Sequence, residues 1–253
     1  MIKTILNVCL SVVLSIFCIC ALYLKVIKKS SIKDNIYLPE VIYMDYDNTI
    51  EDNSNWKEDL NYALKKNLDK ETMNKINKIQ LDADKWTWVK NNLSKETFDK
   101  IQIDNNLSKI QRTYSPIIGA MGFLETALLF GVDTYVVSQR WDIALNKLVD
   151  RANLRKYFKN FYGTGTFAGL QKPHPEFAEA ILKDTNGKGK RCWMIGDARS
   201  DVKTAQQLGC LAFIISNEEK KEITETYGDL IGKKVFFVSY QSLSYLLSSL
   251  ILK

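Results

Sequence analysis

The chain has 253 residues, 46% hydrophobic and 25% charged, enough to bury a real core as one large domain or two small ones. This composition excludes wholesale disorder and a collagen-like repeat, and five scattered cysteines exclude a disulfide scaffold. Of the net charge of +6, Lys3, Lys25, Lys28, Lys29 and Lys33 supply +5 with no acid among residues 1–33, so the body is nearly neutral and no nucleic-acid partner is expected.

From Ile5 to Leu24 the chain runs 20 residues without a charge, ILNVCLSVVLSIFCICALYL. That length spans the hydrocarbon layer as a helix. A cleaved leader is the rival reading. Its apolar stretch is about 7–15 residues and ends in small residues spaced as A-x-A, which Cys18-Ile19-Cys20 matches poorly. One transmembrane helix is expected, with residues 1–33 as membrane anchor and basic flank. Lys25, Lys28, Lys29 and Lys33 follow the run, and only Lys3 and the amino terminus precede it. By the positive-inside bias the body then lies in the cytoplasm, as that of a single-pass membrane protein. Cys192 and Cys210 are far apart in sequence and read as buried core thiols, compatible with a reducing compartment.

A polar connector closes at Pro39. Val41-Ile42-Tyr43-Met44 then reads as a buried strand stopped by Asp45. Residues 51–113 are rich in Lys, Asn, Asp and Glu and contain no Gly or Pro. Trp56, Leu60, Ala63, Leu64 and Leu68 follow helical spacing behind a Ser54 cap, Met73, Ile76 and Ile79 continue it, and Ser94 caps a helix through Phe98 and Ile101. This block is expected to be a small helical subdomain, with Trp86 and Trp88 as packing residues. From Pro116 helices and strands alternate. Strands are expected at Thr134–Val137, Cys192–Ile195, Leu211–Ile215 and Val235–Val238, and helices at Phe123–Phe130, Ile143–Val149, Asn153–Phe158, Pro175–Leu182, Val202–Leu208 and Ser242–Leu250. Alternation of this kind means right-handed crossovers and a parallel sheet. The expected core is therefore residues 34–50 and 114–253, interrupted by 51–113.

Polar residues stop the strands. Asp45 ends one, Ser138 another and Asp197 a third, which brings them to the carboxyl edge where open parallel sheets bind ligands. Asp45 and Asp47 sit at i and i+2, and Asp197 and Asp201 add two carboxylates. Acids packed so closely repel unless a cation is present, and their hard oxygens suit Mg²⁺. Lys172, Thr49 and Ser138 offer a positive charge and two hydroxyls. Together these are the groups that phosphoryl transfer needs: a carboxylate to attack phosphorus, a second to move protons, and donors for the equatorial oxygens.

Four motifs, VIYMDYDNT, TYVVSQR, QKPHPEFAEAI and MIGDARSDVKTAQQLGC, resemble those of the haloacid dehalogenase-like hydrolases over residues 41 to about 215, and most closely the phosphoglycolate-phosphatase-like branch. The resemblance implies a Rossmann-like three-layer α/β fold with a small all-helical cap between the first and second motifs, where residues 51–113 fall. It implies Asp45 as nucleophile and magnesium ligand, and Asp47 as general acid/base giving its backbone carbonyl to the metal. Thr49, Ser138, Gln139 and Lys172 would hold phosphate. Asp197 would bind magnesium directly, with Asp201 beside it or through water. Gln139 stands where the family often has Asn, and Asn48 where Gly is usual. The implied activity is magnesium-dependent hydrolysis of a small phosphomonoester through an aspartyl-phosphate, tethered to a membrane. A phosphomutase of the same family and a non-catalytic tethered scaffold are the alternatives. The intact acids argue against the scaffold.

Overall fold

The run Val41-Ile42-Tyr43-Met44 forms β1 (Val41–Met44) with all four residues buried, because it lies inside a parallel sheet covered on both faces. The computed structural model describes residues 36–79, 82–216 and 218–252. Within it, β1 is flanked by β2 (Asp133–Trp141) and β4 (Cys192–Gly196). With β3 (Asn160–Thr164), β5 (Leu211–Ile215) and β6 (Val235–Val238) the order is β3-β2-β1-β4-β5-β6, every neighbouring pair parallel. The winding direction reverses between β1 and β4, and a doubly wound sheet carries its ligand crevice at such a switch point. The expected α/β sheet is present.

Between β1 and β2 stand α1 (Trp56–Asn67), α2 (Lys70–Asn77), α3 (Asp82–Asn92) and α4 (Lys95–Gln111). They share an apolar centre of Leu60, Leu64, Ile76, Val89 and Ile101, against which Trp86 and Trp88 pack. Ser94 caps α4, its hydroxyl accepting from the Thr97 amide at 3.2 Å. The expected Ser54 cap does not form. α1 begins after Asn55 without a side-chain cap, and the Ser54 hydroxyl donates to Asp52 at 2.9 Å instead. The two crossings into this block are tied to each other: the Asp52 amide donates to the Ser115 carbonyl at 2.8 Å, and the Ile117 amide to the Ile50 carbonyl at 3.0 Å.

The sheet is covered by α5 (Ala120–Leu129), α6 (Asp142–Arg151), α7 (Pro175–Asp184), α8 (Arg199–Leu208), α9 (Lys221–Tyr227) and α10 (Tyr240–Ile251). Tyr43, Val137, Met194 and Ile214 of the strands share one apolar cluster with Phe177 of α7 and Val202 of α8. α10 packs on α5, with the Phe123 and Tyr240 rings 5.8 Å apart.

Three further sequence expectations are corrected. Cys192 and Cys210 are not free thiols but a disulfide, with Cα atoms 4.7 Å apart. The β4–β5 register sets Trp193 beside Leu211, which brings the residues before them together although 18 positions separate them. β2 does not end at Ser138; it resumes pairing with β3 at Trp141 after an irregularity in register. The stretch Asn153–Phe158 is a short 3₁₀ turn, Arg155–Tyr157, rather than a full helix. The expected membrane-spanning run, residues 5–24, lies outside the described residues. Among the described residues no helix is long and apolar enough to cross a membrane.

Candidate active site

Asp45 is the first residue beyond β1, and its amide donates to the Ile195 carbonyl of β4 at 2.8 Å. Its carboxylate meets the Lys172 ammonium at 2.6 Å. Lys172, almost completely buried, also reaches Asp201 Oδ1 at 2.6 Å. Asp201 Oδ2 accepts from the amides of Asp197 and Ala198, each at 3.0 Å. Both oxygens of Asp201 are thus engaged at the N-terminal end of α8, where the helix dipole favours negative charge. A Cβ on Gly196 would lie 2.2 Å from this carboxylate, so only glycine lets the end of β4 approach it. Asp197 pairs loosely with Lys220 at 3.5 Å.

The carboxylates of Asp45, Asp197 and Asp201 each offer an oxygen within 4.8 Å of the others. Burial pushes the Asp45 carboxyl up to about 8; Lys172 opposes the rise, and Asp201 and Asp47 add to it. Burial and Asp201 also raise Asp197, against Lys220. Burial alone would lower Lys172, but Asp201 and Asp45 hold its ammonium above the ordinary lysine range. Three clustered acids against the buried Lys172 and the looser Lys220 leave one negative charge uncompensated, and their oxygens form a donor set that suits a hard divalent cation. The residues fit Mg²⁺, with Asp45, Asp197 and Asp201 as its surroundings.

Asp47 does not point with Asp45. The strand stops at Met44, so the i, i+2 spacing does not bring the two acids to one side as a continued strand would. The Asp47 carboxylate faces two cations instead: Lys109 Nζ at 2.6 Å, and Arg140 through Nε at 2.7 Å and Nη2 at 2.9 Å. Burial would raise Asp47, but Arg140 and Lys109 hold it below the usual carboxylate range. Its side chain is outside the acid cluster, and the part expected of it toward a metal was through its backbone carbonyl.

The Thr49 side chain is fully buried and its hydroxyl has no partner among the described residues. The buried Ser138 hydroxyl accepts from the Arg140 amide at 3.2 Å. The Gln139 side chain donates to the Lys172 carbonyl at 3.1 Å, linking the end of β2 to the lysine loop. Asn48, where glycine is usual, adopts φ +53°, a left-handed conformation that asparagine tolerates. Its side chain accepts from the Asn53 amide at 3.0 Å, so the turn survives the change.

Four residues not foreseen from sequence complete the site. Asn53 Oδ1 accepts from Lys109 at 2.9 Å and from Arg140 at 3.2 Å. The buried Glu51 pairs with Arg151 and lies 3.8 Å from Lys109. Arg140 stands two positions after Ser138 at the same strand end, a signal that was available. Lys109 and Glu51 sit in a stretch that reads as a solvated face, and gave none. A cavity of about 500 Å³ opens beside Arg140, lined also by Asn53, Trp56, Trp86, Asn105 and Gln139.

A doubly wound sheet with acids, a buried lysine and hydroxyls at its switch point is an arrangement whose groups suit phosphoryl transfer. The model of one family, "haloacid dehalogenase-like hydrolase", matches residues 39–209, well over half of the chain. The protein belongs to the haloacid dehalogenase-like hydrolases. It is 26% identical over 105 residues to a phosphoglycolate phosphatase from Mesorhizobium japonicum, which covers 42% of this chain and 44% of that protein. The chain thus spans less than half the length of that curated relative. Among solved structures, a predicted phosphoglycolate phosphatase from Haemophilus somnus superposes with a TM-score of 0.61 at 17% identity, covering 83% of this chain and 99% of the other. A protein from Thermotoga maritima assigned as a β-phosphoglucomutase does so with 0.59 at 14% identity, over 83% and 98%. These two share the fold.

Proposed function

We propose that the protein is a magnesium-dependent phosphatase that hydrolyses a small phosphomonoester through an aspartyl-phosphate on Asp45. The observation that carries this reading is the Asp45–Lys172–Asp201 chain of 2.6 Å contacts at the carboxyl ends of β1 and β4. It sets a carboxylate nucleophile beside a buried positive charge. The Asp45 oxygen attacks phosphorus, and the bond from phosphorus to the leaving alcohol breaks. Asp47 supplies the alcohol's proton, then takes one from the water that attacks the aspartyl-phosphate. Breaking the phosphorus–Asp45 bond frees phosphate and restores the carboxylate. Lys172, Thr49 and Ser138 would hold the equatorial oxygens. Mg²⁺, when bound, neutralises charge on the transferring group. Arg140 and Lys109 favour ionised Asp47, the form that accepts the proton of the attacking water; to protonate the leaving alcohol, Asp47 first takes up a proton from solvent, and the second half-reaction regenerates its protonated form.

The test is hydrolysis of a generic aryl phosphate. Activity should vanish with chelator and return with Mg²⁺, with Ca²⁺ a poor substitute because its larger, looser shell misplaces the phosphate. Full activity in excess chelator would refute the metal requirement. A sugar phosphomutase would use the same two aspartates; isomerisation of a sugar phosphate outpacing its hydrolysis is the outcome that favours it.

The reading includes a membrane tether through residues 5–24, supported by their 20 uncharged positions. The four lysines that follow support a body in the cytoplasm. The Cys192–Cys210 disulfide favours a second orientation, with the body in an oxidising compartment.

A further inference from the structure

The family match ends at residue 209, yet one side chain from beyond it reaches the nucleophile loop. Tyr240, the first residue of α10, is 2% exposed. Its hydroxyl donates to the Thr49 carbonyl at 2.7 Å across a separation of 191 residues. The next carbonyl, that of Ile50, accepts from the Ile117 amide at 3.0 Å. Two consecutive carbonyls are therefore held from outside, at the point where the loop Asp45–Thr49 passes into the helical block.

The fold makes room for this contact. A Cβ on Gly119 would lie 2.8 Å from the Tyr240 Cβ, and Gly119 has φ +86°, so glycine is required there on both counts. The Ser239 hydroxyl caps α10 by accepting from the Ser242 amide at 3.2 Å, which fixes where the helix, and with it Tyr240, begins. Burial raises the phenol, and the charges of Asp45 and Asp197 raise it further, so the hydroxyl stays protonated as a donor. The ring would pack on Phe123 whether or not the hydroxyl were present, so what the hydroxyl adds is the hydrogen bond to Thr49.

We infer that Tyr240 is a positioning residue for the reaction: by fixing the Thr49–Ile50 peptide it sets the orientation of the loop that carries Asp45, Asp47 and Thr49. This rests on the reading of Asp45 as nucleophile. Tyr240→Phe keeps the ring and removes only the donor, so the protein should fold. A single buried hydrogen bond moves the melting temperature of a chain this size by only about 2–4 °C. Turnover should fall about tenfold with KM within about twofold, because a misaimed nucleophile slows chemistry more than it weakens binding. A second readout does not depend on activity. The Ile50 and Glu51 amides donate to the Tyr46 carbonyl at 2.9 and 3.0 Å, and hydrogen exchange of peptides covering 45–53 should quicken in the variant while β5 is unchanged. Turnover within twofold of the native enzyme, or unchanged exchange over 45–53, overturns the inference. If the native protein hydrolyses no phosphomonoester, the proposed function has failed on its own assay, and the exchange result alone decides whether Tyr240 holds the loop.

Discussion

Asp45 carries an energetic conflict that defines its use. It is buried among like charges and yet, as the proposed nucleophile, must be ionised. Lys172 at 2.6 Å works against the rise of its pKa to about 8. Asp45→Asn removes the nucleophile without changing side-chain volume. Turnover should fall by at least about a thousandfold with the circular dichroism spectrum unchanged; substantial activity in the folded variant would exclude the assignment. Glu51 makes a contrasting case. It pairs with Arg151 from a buried position and lies 3.8 Å from Lys109, and neutralising it takes the carboxylate charge away from Arg151, whereas Lys109 keeps Asp47. Glu51→Gln should cost about 3 kcal/mol, the scale of breaking a buried ion pair from one side, and lower the melting point by about 10 °C. A shift below about 2 °C would show that the pair adds nothing. Asp45, Asp197 and Lys172 were legible because strand ends and short motifs announce them, whereas Ser138 lies within β2 and not at its end. Glu51, Lys109 and Tyr240 were not. Their partners are far away in sequence, and an isolated charged residue between helical positions looks the same whether it faces water or a buried carboxylate.

The strands were legible where four or five apolar residues stand together, as in β1, β4, β5 and β6. β3 was not, since only Phe161 and Tyr162 mark it and its remaining order comes from pairing with β2. α9 escaped for a similar reason: Ile223 is its single buried residue, too little for a periodic signal. The disulfide is an element-scale property of the same kind, made by parallel register rather than spacing. It closes the β4–α8–β5 crossover, the segment that presents Asp197 and Asp201, over 18 positions. Chain-entropy arguments give a loop of that length about 3 kcal/mol. The Cys192→Ala/Cys210→Ala protein should unfold at correspondingly lower denaturant. Reductant should destabilise the native protein toward the variant and leave the variant where it is. Equal stability of the two under oxidising conditions would mean that the bond contributes nothing.

At the scale of the whole chain, two features carry predictions about where the protein works and on what. The helical block joins the sheet through two crossings hydrogen-bonded to each other, and the cavity beside Arg140 measures about 500 Å³. A cleft of that size, beside the Arg140 that holds Asp47, suits a small leaving group better than a folded protein. Small phosphomonoesters should therefore be turned over much faster than phosphoproteins, and efficient dephosphorylation of a folded phosphoprotein would sink the idea. The second feature is the uncharged run from Ile5 to Leu24. A spanning helix is held by apolar burial and not by charge, so the full chain should sediment with membranes and resist extraction by high salt. A chain beginning near Ser30 should be soluble and equally active, since every residue of the site lies at or beyond Asp45. The side on which the body sits is contested by two physical signals. Lys25, Lys28, Lys29 and Lys33 resist translocation and argue for the cytoplasm, where glutathione would keep Cys192 and Cys210 reduced. The disulfide argues for export. Protease added to intact cells, followed by thiol labelling of the body with and without reductant, separates them. An uncut body with two labelled thiols fixes the cytoplasmic orientation. A digested body whose thiols label only after reduction fixes the other. A protein recovered entirely in the soluble fraction would remove the tether itself.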